Sequence, residues 1–156
     1  MASEVDICNI ALNNLGASNI NSLTEDSKSG RLCNQRYEFV RDTVFRAHPW
    51  NCLIQRVELA QDADTPSFGF SYQYQLPADP FCLRVLTLWT GLTNSDAAAY
   101  DNGEIMFKIE GRKLLTNEST AKIIYIARVT DPNEYDSLLI ETIAARLSAE
   151  LCYAVT

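Results

Sequence analysis

The single histidine of this chain, His48, stands in the run His48-Pro49-Trp50-Asn51. An imidazole there is the natural suspect for a general base. Its neighbours argue for another role, because Pro49 stops a helix and a histidine at a helix C-terminus can bond the orphan carbonyls and favour the dipole. Without a second histidine, any Ser-His-Asp or Cys-His arrangement has to use this one, and no G-x-S-x-G turn accompanies any serine. The five cysteines, Cys8, Cys33, Cys52, Cys82 and Cys152, are widely spaced and free of C-x-x-C pairs, so they read as buried free thiols and not as a zinc site. Asp62, Asp64, Asp79, Asp96 and Asp101 fall in predicted turns, where aspartate serves the backbone, and no calcium loop or phosphate-binding glycine loop is present. The alternating Phe68, Phe70, Tyr72 and Tyr74 resemble a base-stacking platform but lack a basic stripe, and read more simply as the inner face of a sheet. The expectation is therefore no catalytic residue, no metal and no cofactor.

What remains is a set of elements built to position one another. Ser3 caps a first helix with Glu4 and Asp6 in its first turn; Ile7, Ile10, Ala11 and Leu15 form its apolar stripe, and Gly16 ends it. The spacing Ser22-Leu23-Thr24-Glu25 predicts a capping box and a second helix from there to about Ala47. Cys33, Tyr37, Val40 and Val44 form its inner face, with Arg31, Gln35, Glu38, Arg41 and Asp42 on the rest. From Cys52 to Thr130 the period becomes strand-like: Leu53–Leu59, the aromatic run, Phe81–Trp89, a turn at Asp101-Asn102-Gly103 before Ile105, Phe107 and Ile109, and a hairpin turn at Glu110-Gly111-Arg112 returning through Leu114 and Leu115. Ile123–Ala127 is apolar on both faces and reads as a central strand. Asp131-Pro132-Asn133-Glu134 predicts the start of a third helix that runs to the end of the chain.

The implied class is α+β: an antiparallel helical bundle from the first two helices and the last, with a small antiparallel β domain inserted between helices 2 and 3. The expected organisation is a single unit over 1–156, with 1–50 and 131–156 as the helical part and 51–130 as the β-rich insertion. His48, Pro49 and Trp50 read as a structural corner. Glu110, Gly111 and Arg112 read as a hairpin tip that reaches a partner, and Ile140, Leu147 and Leu151, on a helix with more apolar surface than one buried stripe needs, as a candidate interface.

Bulk properties narrow the function. A chain of 156 residues with 47% hydrophobic and 21% charged residues is an ordinary globular composition. No apolar run approaches the roughly 20 residues of a membrane span, and Glu4 and Asp6 stand where a leader peptide carries positive charge, so the expectation is no membrane and no export. Thirteen basic against twenty acidic residues, net −7, would repel phosphate, which disfavours tight wrapping of nucleic acid.

Several ordered motifs carry a resemblance. They are Ala11-Leu12-x-x-Leu15-Gly16-Ala17, Ile20-x-Ser22-Leu23-x-Glu25-Asp26-Ser27, Cys33-Asn34-x-x-Tyr37-x-x-x-Arg41-Asp42, His48-Pro49-Trp50-Asn51 and Phe68-Gly69-Phe70-x-Tyr72-x-Tyr74-x-Leu76-Pro77-x-Asp79, followed by Ile124-Tyr125 before Asp131-Pro132. In this order the chain is similar to the tail tubular protein A family, the head-to-tail adaptor, or gatekeeper, ring proteins of short-tailed bacteriophages. The resemblance implies a structural protein of the virion neck and tail, made in the host cytoplasm, with no catalytic residues to carry over. It implies a homo-oligomer, a dodecameric ring docked beneath the portal protein and joined to the tail nozzle protein, through whose lumen DNA passes during ejection without specific binding. It also implies a further helical segment after Thr156. Two other classes stand beside it: a monomeric phage assembly or binding module, and a cell-wall hydrolase or nuclease, which would need a clustered acid pair or metal site.

Overall fold

The computed structural model describes residues 2–89 and 107–155. They form an α+β protein with three α-helices and two three-stranded antiparallel sheets. The chain divides into two compact units, Met1–Cys52 together with Val129–Thr156, and Leu53–Arg128. The expected turn at Asp101-Asn102-Gly103, Asp96 and Ile105 lie outside the described residues.

The first unit is helical. Helix α1 (Glu4–Asn14) opens on a closed capping box: Ser3 Oγ accepts from Asp6 N at 3.1 Å and Asp6 Oδ2 accepts from Ser3 N at 3.0 Å. It ends in a Schellman arrangement. Gly16, at φ +73°, lets its own N–H reach Asn13 O (3.1 Å) while Ala17 N–H reaches Leu12 O (2.9 Å). Asn9 then pins the outgoing chain by donating to Ile20 O and accepting from Ile20 N, which buries Ile20.

Helix α2 (Lys28–Ala47) starts a turn later than the Ser22–Glu25 spacing predicts. Glu25 does accept from Ser22 N (3.4 Å) and from Asn21 N (2.6 Å), but Ser22 Oγ bonds Thr24 N, so the box closes on a turn. Ser27 takes over as the cap, accepting from Gly30 N at 3.0 Å while donating its hydroxyl to Glu25 Oε2 at 2.7 Å. Gly30 fits against this cradle because a Cβ there would stand 2.8 Å from Glu25 Cγ and 3.1 Å from Glu25 O. The inner face holds Cys33, Tyr37, Val40 and Val44 as expected, with two additions: Phe45 and Arg41 are buried as well, Arg41 only 4% exposed.

Helix α3 (Ser137–Val155) also begins later than its sequence signal. Asp131 caps a single 3-10 turn, Pro132–Glu134, by accepting from Asn133 N. The chain then leaves helical geometry at Tyr135, whose buried ring meets Phe45 edge-on at 5.5 Å and whose hydroxyl donates to Val129 O. Burying that ring outweighs continuing the helix, and Asp136 restarts it by accepting from Leu138 N at 2.9 Å. Within the unit α3 packs on both α1 and α2, which touch each other much less. Ser148 marks the close approach: its Oγ lies 2.9 Å from Ala144 O and 3.1 Å from Ala11 O, sharing one proton between its own helix and α1.

The second unit is β. Strand β6 (Ala121–Ala127) lies between β1 (Ile54–Leu59) and β3 (Cys82–Leu88), both antiparallel to it. The central place explains why Ile123 to Ala127 are all buried, a position that needs apolar residues on both faces. Register runs from Ile54 opposite Ile126 to Leu59 opposite Ala121, and β3 shifts register twice, between Cys82 and Arg84 and between Val85 and Thr87. The other sheet has β5 (Lys113–Thr116) between β2 (Tyr72–Gln75) and β4 (Phe107–Glu110). The aromatic run does not form one inner face. Strand β2 begins only at Tyr72, Tyr74 is buried with its hydroxyl donating to Glu118 O, and Phe68 is 89% exposed on the preceding loop. Gly69 at φ +90° explains the break: an extended strand cannot pass through that conformation.

Candidate assembly surfaces

The corner after α2 is built by Trp50. Its ring is buried and its Nε1 donates to Val44 O at 3.0 Å, satisfying one of the carbonyls that a helix leaves open at its C-terminus. His48 does not have that task. It is the C-cap of α2 in extended geometry, its carbonyl accepts from Trp50 N, and its exposed ring packs edge-on to Trp50 at 4.8 Å. Pro49 between them fixes the bend.

At the hairpin tip, β4 and β5 are joined by Gly111 and Arg112, with Gly111 at φ +60°. A glycine at the first central position of a two-residue loop is the placement a type II′ turn requires. Arg112, however, does not reach outward. Its guanidinium donates to Pro77 O and Cys82 O, both at 2.7 Å, and lies over the Phe81 ring at 3.9 Å, while Arg128 stands 4.4 Å from the same ring centroid. The tip is thus tied back into its own unit through Arg112, and of the expected contact residues Glu110 and Gly111 are left facing solvent.

On α3 the expected interface residues are on the wrong side. Leu147 and Leu151 are core residues, with no more than 1% exposure, and Ile140 is half-buried on the same side of the helix. At 100° per residue the outer side carries Leu138, Thr142, Ala145, Ala149 and Tyr153. Leu138 is 57% and Tyr153 96% exposed. The periodicity could have found this face, since Leu139, Ile143, Leu147 and Leu151 already form one complete inward row.

Other features were hidden from sequence reading. Phe39 on α2 and Phe68 in the β unit present large apolar side chains to solvent. Phe68 borders a shallow cleft of about 350 Å³ with Gln73, Lys113 and Leu115. Beside it Asp62 accepts from Lys113 Nζ and from Gln73 Nε2, and the Lys113 ammonium holds the Asp62 carboxyl below its usual range. A second cleft, about 310 Å³, is lined by Val57, Trp89 and Ile123 together with Arg56, Glu58 and Lys122. Neither collects the residue types a hydrolytic site needs. Among the described residues no three His, Cys, Asp or Glu side chains come together as a metal site, and no helix is long and apolar enough to cross a membrane.

The helical unit also holds a buried polar group: Tyr37, whose hydroxyl makes no hydrogen bond. Burial pushes its phenol upward, with the nearby Tyr135 adding to the shift and Arg41 opposing it; Tyr135 itself is raised by burial to about 12. All five cysteines are free thiols, but only Cys8, Cys33 and Cys82 are fully buried. The Cys33 thiol on α2 and burial together raise the Cys8 thiol on α1 well above the ordinary range. Neither protein-family models nor curated proteins give a match to this sequence.

Proposed function

We propose that this chain is a structural virion protein, the subunit of a head-to-tail connector ring that joins the portal protein to the tail nozzle protein and gives passage to genomic DNA. One observation carries the reading: the motifs shared with the tail tubular protein A family run in order along nearly the whole chain, and their residues are framework residues. Gly16 turns the chain out of α1, Ser22 closes a turn with Glu25, Glu25 and Ser27 form the cradle that starts α2, and Cys33, Tyr37 and Arg41 lie on the buried side of α2. Pro49 and Trp50 form the corner, and Tyr74 anchors β2. Such residues keep a shape, which is what a connector requires. In this reading the three helices form a bundle that carries the β unit as an insertion, the protein has no enzymatic activity, and it resides in the virion neck.

A ring needs a heterologous interface, the same two different patches meeting around a closed circle. The outer side of α3 supplies apolar surface for one of them, in place of Leu147 and Leu151. An acidic lumen lets DNA slide without sticking, and the helical unit, with six basic and eleven acidic residues, is the more acidic of the two.

The test is negative-stain imaging and analytical ultracentrifugation of the protein with and without portal. A ring stacked on the portal is the expected result. A monomer that ignores both portal and nozzle overturns the reading and favours a binding module. Leu138→Glu and Tyr153→Glu should weaken association while leaving the melting temperature unchanged, since an unpaired charge is costly in an interface but not in water.

A further inference from the structure

The β unit leaves two regular strand edges open. Of its four edge strands, β2 is already covered where Gln61 bridges Tyr74 and Asp62 N donates to Gln73 O, and β3 is bent by its two register shifts. The outer edges of β1 and β4 remain: outside their ladders, no backbone hydrogen bond joins Ile54–Leu59 or Phe107–Glu110 to any other described residue. Gln55, Arg56 and Glu58 on β1 and Lys108, Ile109 and Glu110 on β4 are exposed, so each strand reaches solvent on both its faces. A row of unpaired N–H and C=O groups is a template for another strand, and charged side chains commonly guard it. Here the charges on the two edges match each other.

We propose that β4 of one subunit adds antiparallel to β1 of a second copy of this chain, joining two three-stranded sheets edge to edge. In the register that sets Ile109 opposite Val57, Phe107 faces Leu59, Lys108 faces Glu58 and Glu110 faces Arg56. Opposed residues share a face, so the apolar pairs lie on one side of the joined sheet and both ion pairs on the other. Each acid gains a second cation, because within its own sheet Glu58 already stands opposite Lys122 and Glu110 opposite Lys113. A slip of two residues either way brings like charges together, Lys108 on Arg56 or Glu110 on Glu58, which fixes the register. The apolar side continues as well. Ile109, 41% exposed, is the open end of the row Tyr74, Leu114, Ile109, whose first two members are buried, and Val57 borders the cleft it shares with Trp89 and Ile123.

The choice of β1, and not a second β4, rests on the connector reading: a ring needs two different patches, whereas β4 on β4 or β1 on β1 closes a two-fold dimer and goes no further. Strand β4 offers only four residues, so the ladder is short. It sets direction and register between subunits, while the outer side of α3 adds apolar area.

The test is disulfide trapping on the full chain, with and without portal. Directly opposed residues hold their Cβ atoms about 4.5–5.5 Å apart, near enough for a small adjustment to bridge them. Under mild oxidation a mixture of Val57→Cys and Ile109→Cys proteins should give a cross-linked dimer on a non-reducing gel, with the link at 57 and 109 by mass spectrometry. Either variant alone should give no 57–57 or 109–109 link, and the double variant should give a ladder of linked subunits. Lys108→Glu stands opposite only Leu115 in its own sheet, so it should keep its melting temperature and weaken association roughly threefold or more; Glu58→Lys added to it should restore association. A 57–57 or 109–109 link, or association that Lys108→Glu leaves unchanged, overturns the proposal. A ring on the portal without the 57–109 link removes this pairing and leaves the connector reading standing; the 57–109 link in open chains that never close does the reverse.

Discussion

The two units solve opposite hydrogen-bonding problems, and their polar residues differ accordingly. In the helical unit acceptors fill the open N–H donors at helix starts, Ser3 with Asp6, Ser27 beside Glu25, Asp131 and Asp136, while the Trp50 indole covers an open carbonyl at the end of α2. In the β unit a cation, Arg112, braces two carbonyls at the entry to β3: it reaches Pro77 O, which also accepts from Cys82 N, and Cys82 O, and with Arg128 it flanks Phe81. The charge balance follows the same division, with six basic and eleven acidic residues in the helical unit against seven and nine in the β unit. The lesson is that four of the eleven acids in the helical unit serve helix starts, so charge alone is weak evidence about what the surface meets.

Five substitutions would break or sharpen that contrast. The largest effect is expected at Trp50→Ala, which empties a buried ring site and frees the Val44 carbonyl; about 3–5 kcal/mol should be lost in a denaturant titration. His48→Gln should leave the same titration unchanged, and a loss comparable to Trp50→Ala would show that the histidine, and not the indole, holds the corner. Next comes Arg112→Ala, which strips two carbonyls of a charged donor and should cost about 2 kcal/mol, seen as faster amide exchange in β3 and β5. Arg112→Lys should restore little of this, because a point charge cannot reach both carbonyls and cover the Phe81 ring. In the helical unit Ser27→Ala should cost about 1 kcal/mol, the usual value of a helix cap, with exchange rising at the start of α2.

The smallest effect is a pH dependence. Glu25 is held below its usual range by the Ser27 hydroxyl and the Asn21 and Ser22 amides, and Asp62 by Lys113 and Gln73. A carboxyl lowered in the fold stabilises fully above its unfolded value, and that contribution fades as pH falls through the folded one. Both units should therefore lose a little stability below about pH 4.5. In Glu25→Gln the helical unit should lose part of that acid sensitivity, and in Asp62→Asn the β unit should; an unchanged acid limb in both variants would separate these bonds from stability.

Where a local signal had no competitor, the sequence was enough. Ser3 and Gly16 bound α1, the Gly111 hairpin joins β4 to β5, and the two-faced apolar run at Ile123–Ala127 is the centre of its sheet. The failures share a cause, a competing contact overriding a good local motif. Phe45 draws Tyr135 into the core and ends the turn that Asp131 starts; Glu25 is captured by Ser27, so its box with Ser22 caps no helix. Arg41 looks like surface by period but is buried, and Arg112 looks like a free tip but bonds chain 30 or more residues away. The surfaces suffered most, because periodicity tells which row is apolar and not how many rows the fold will cover.

The helical unit is assembled from two stretches of chain separated by the whole β unit. A ribosome therefore delivers its parts out of step: α1 and α2 emerge first, the β unit is complete as soon as Arg128 has left the tunnel, and α3, the helix on which the other two chiefly pack, comes last. Vectorial synthesis thus lets the β unit settle while α1 and α2 wait with their apolar sides uncovered. A nascent chain stalled before Ser137 exposes Ile7, Leu12, Tyr37 and Phe45 at once, which makes the arrival of Ser137–Val155 the step that decides whether the polypeptide stays in solution.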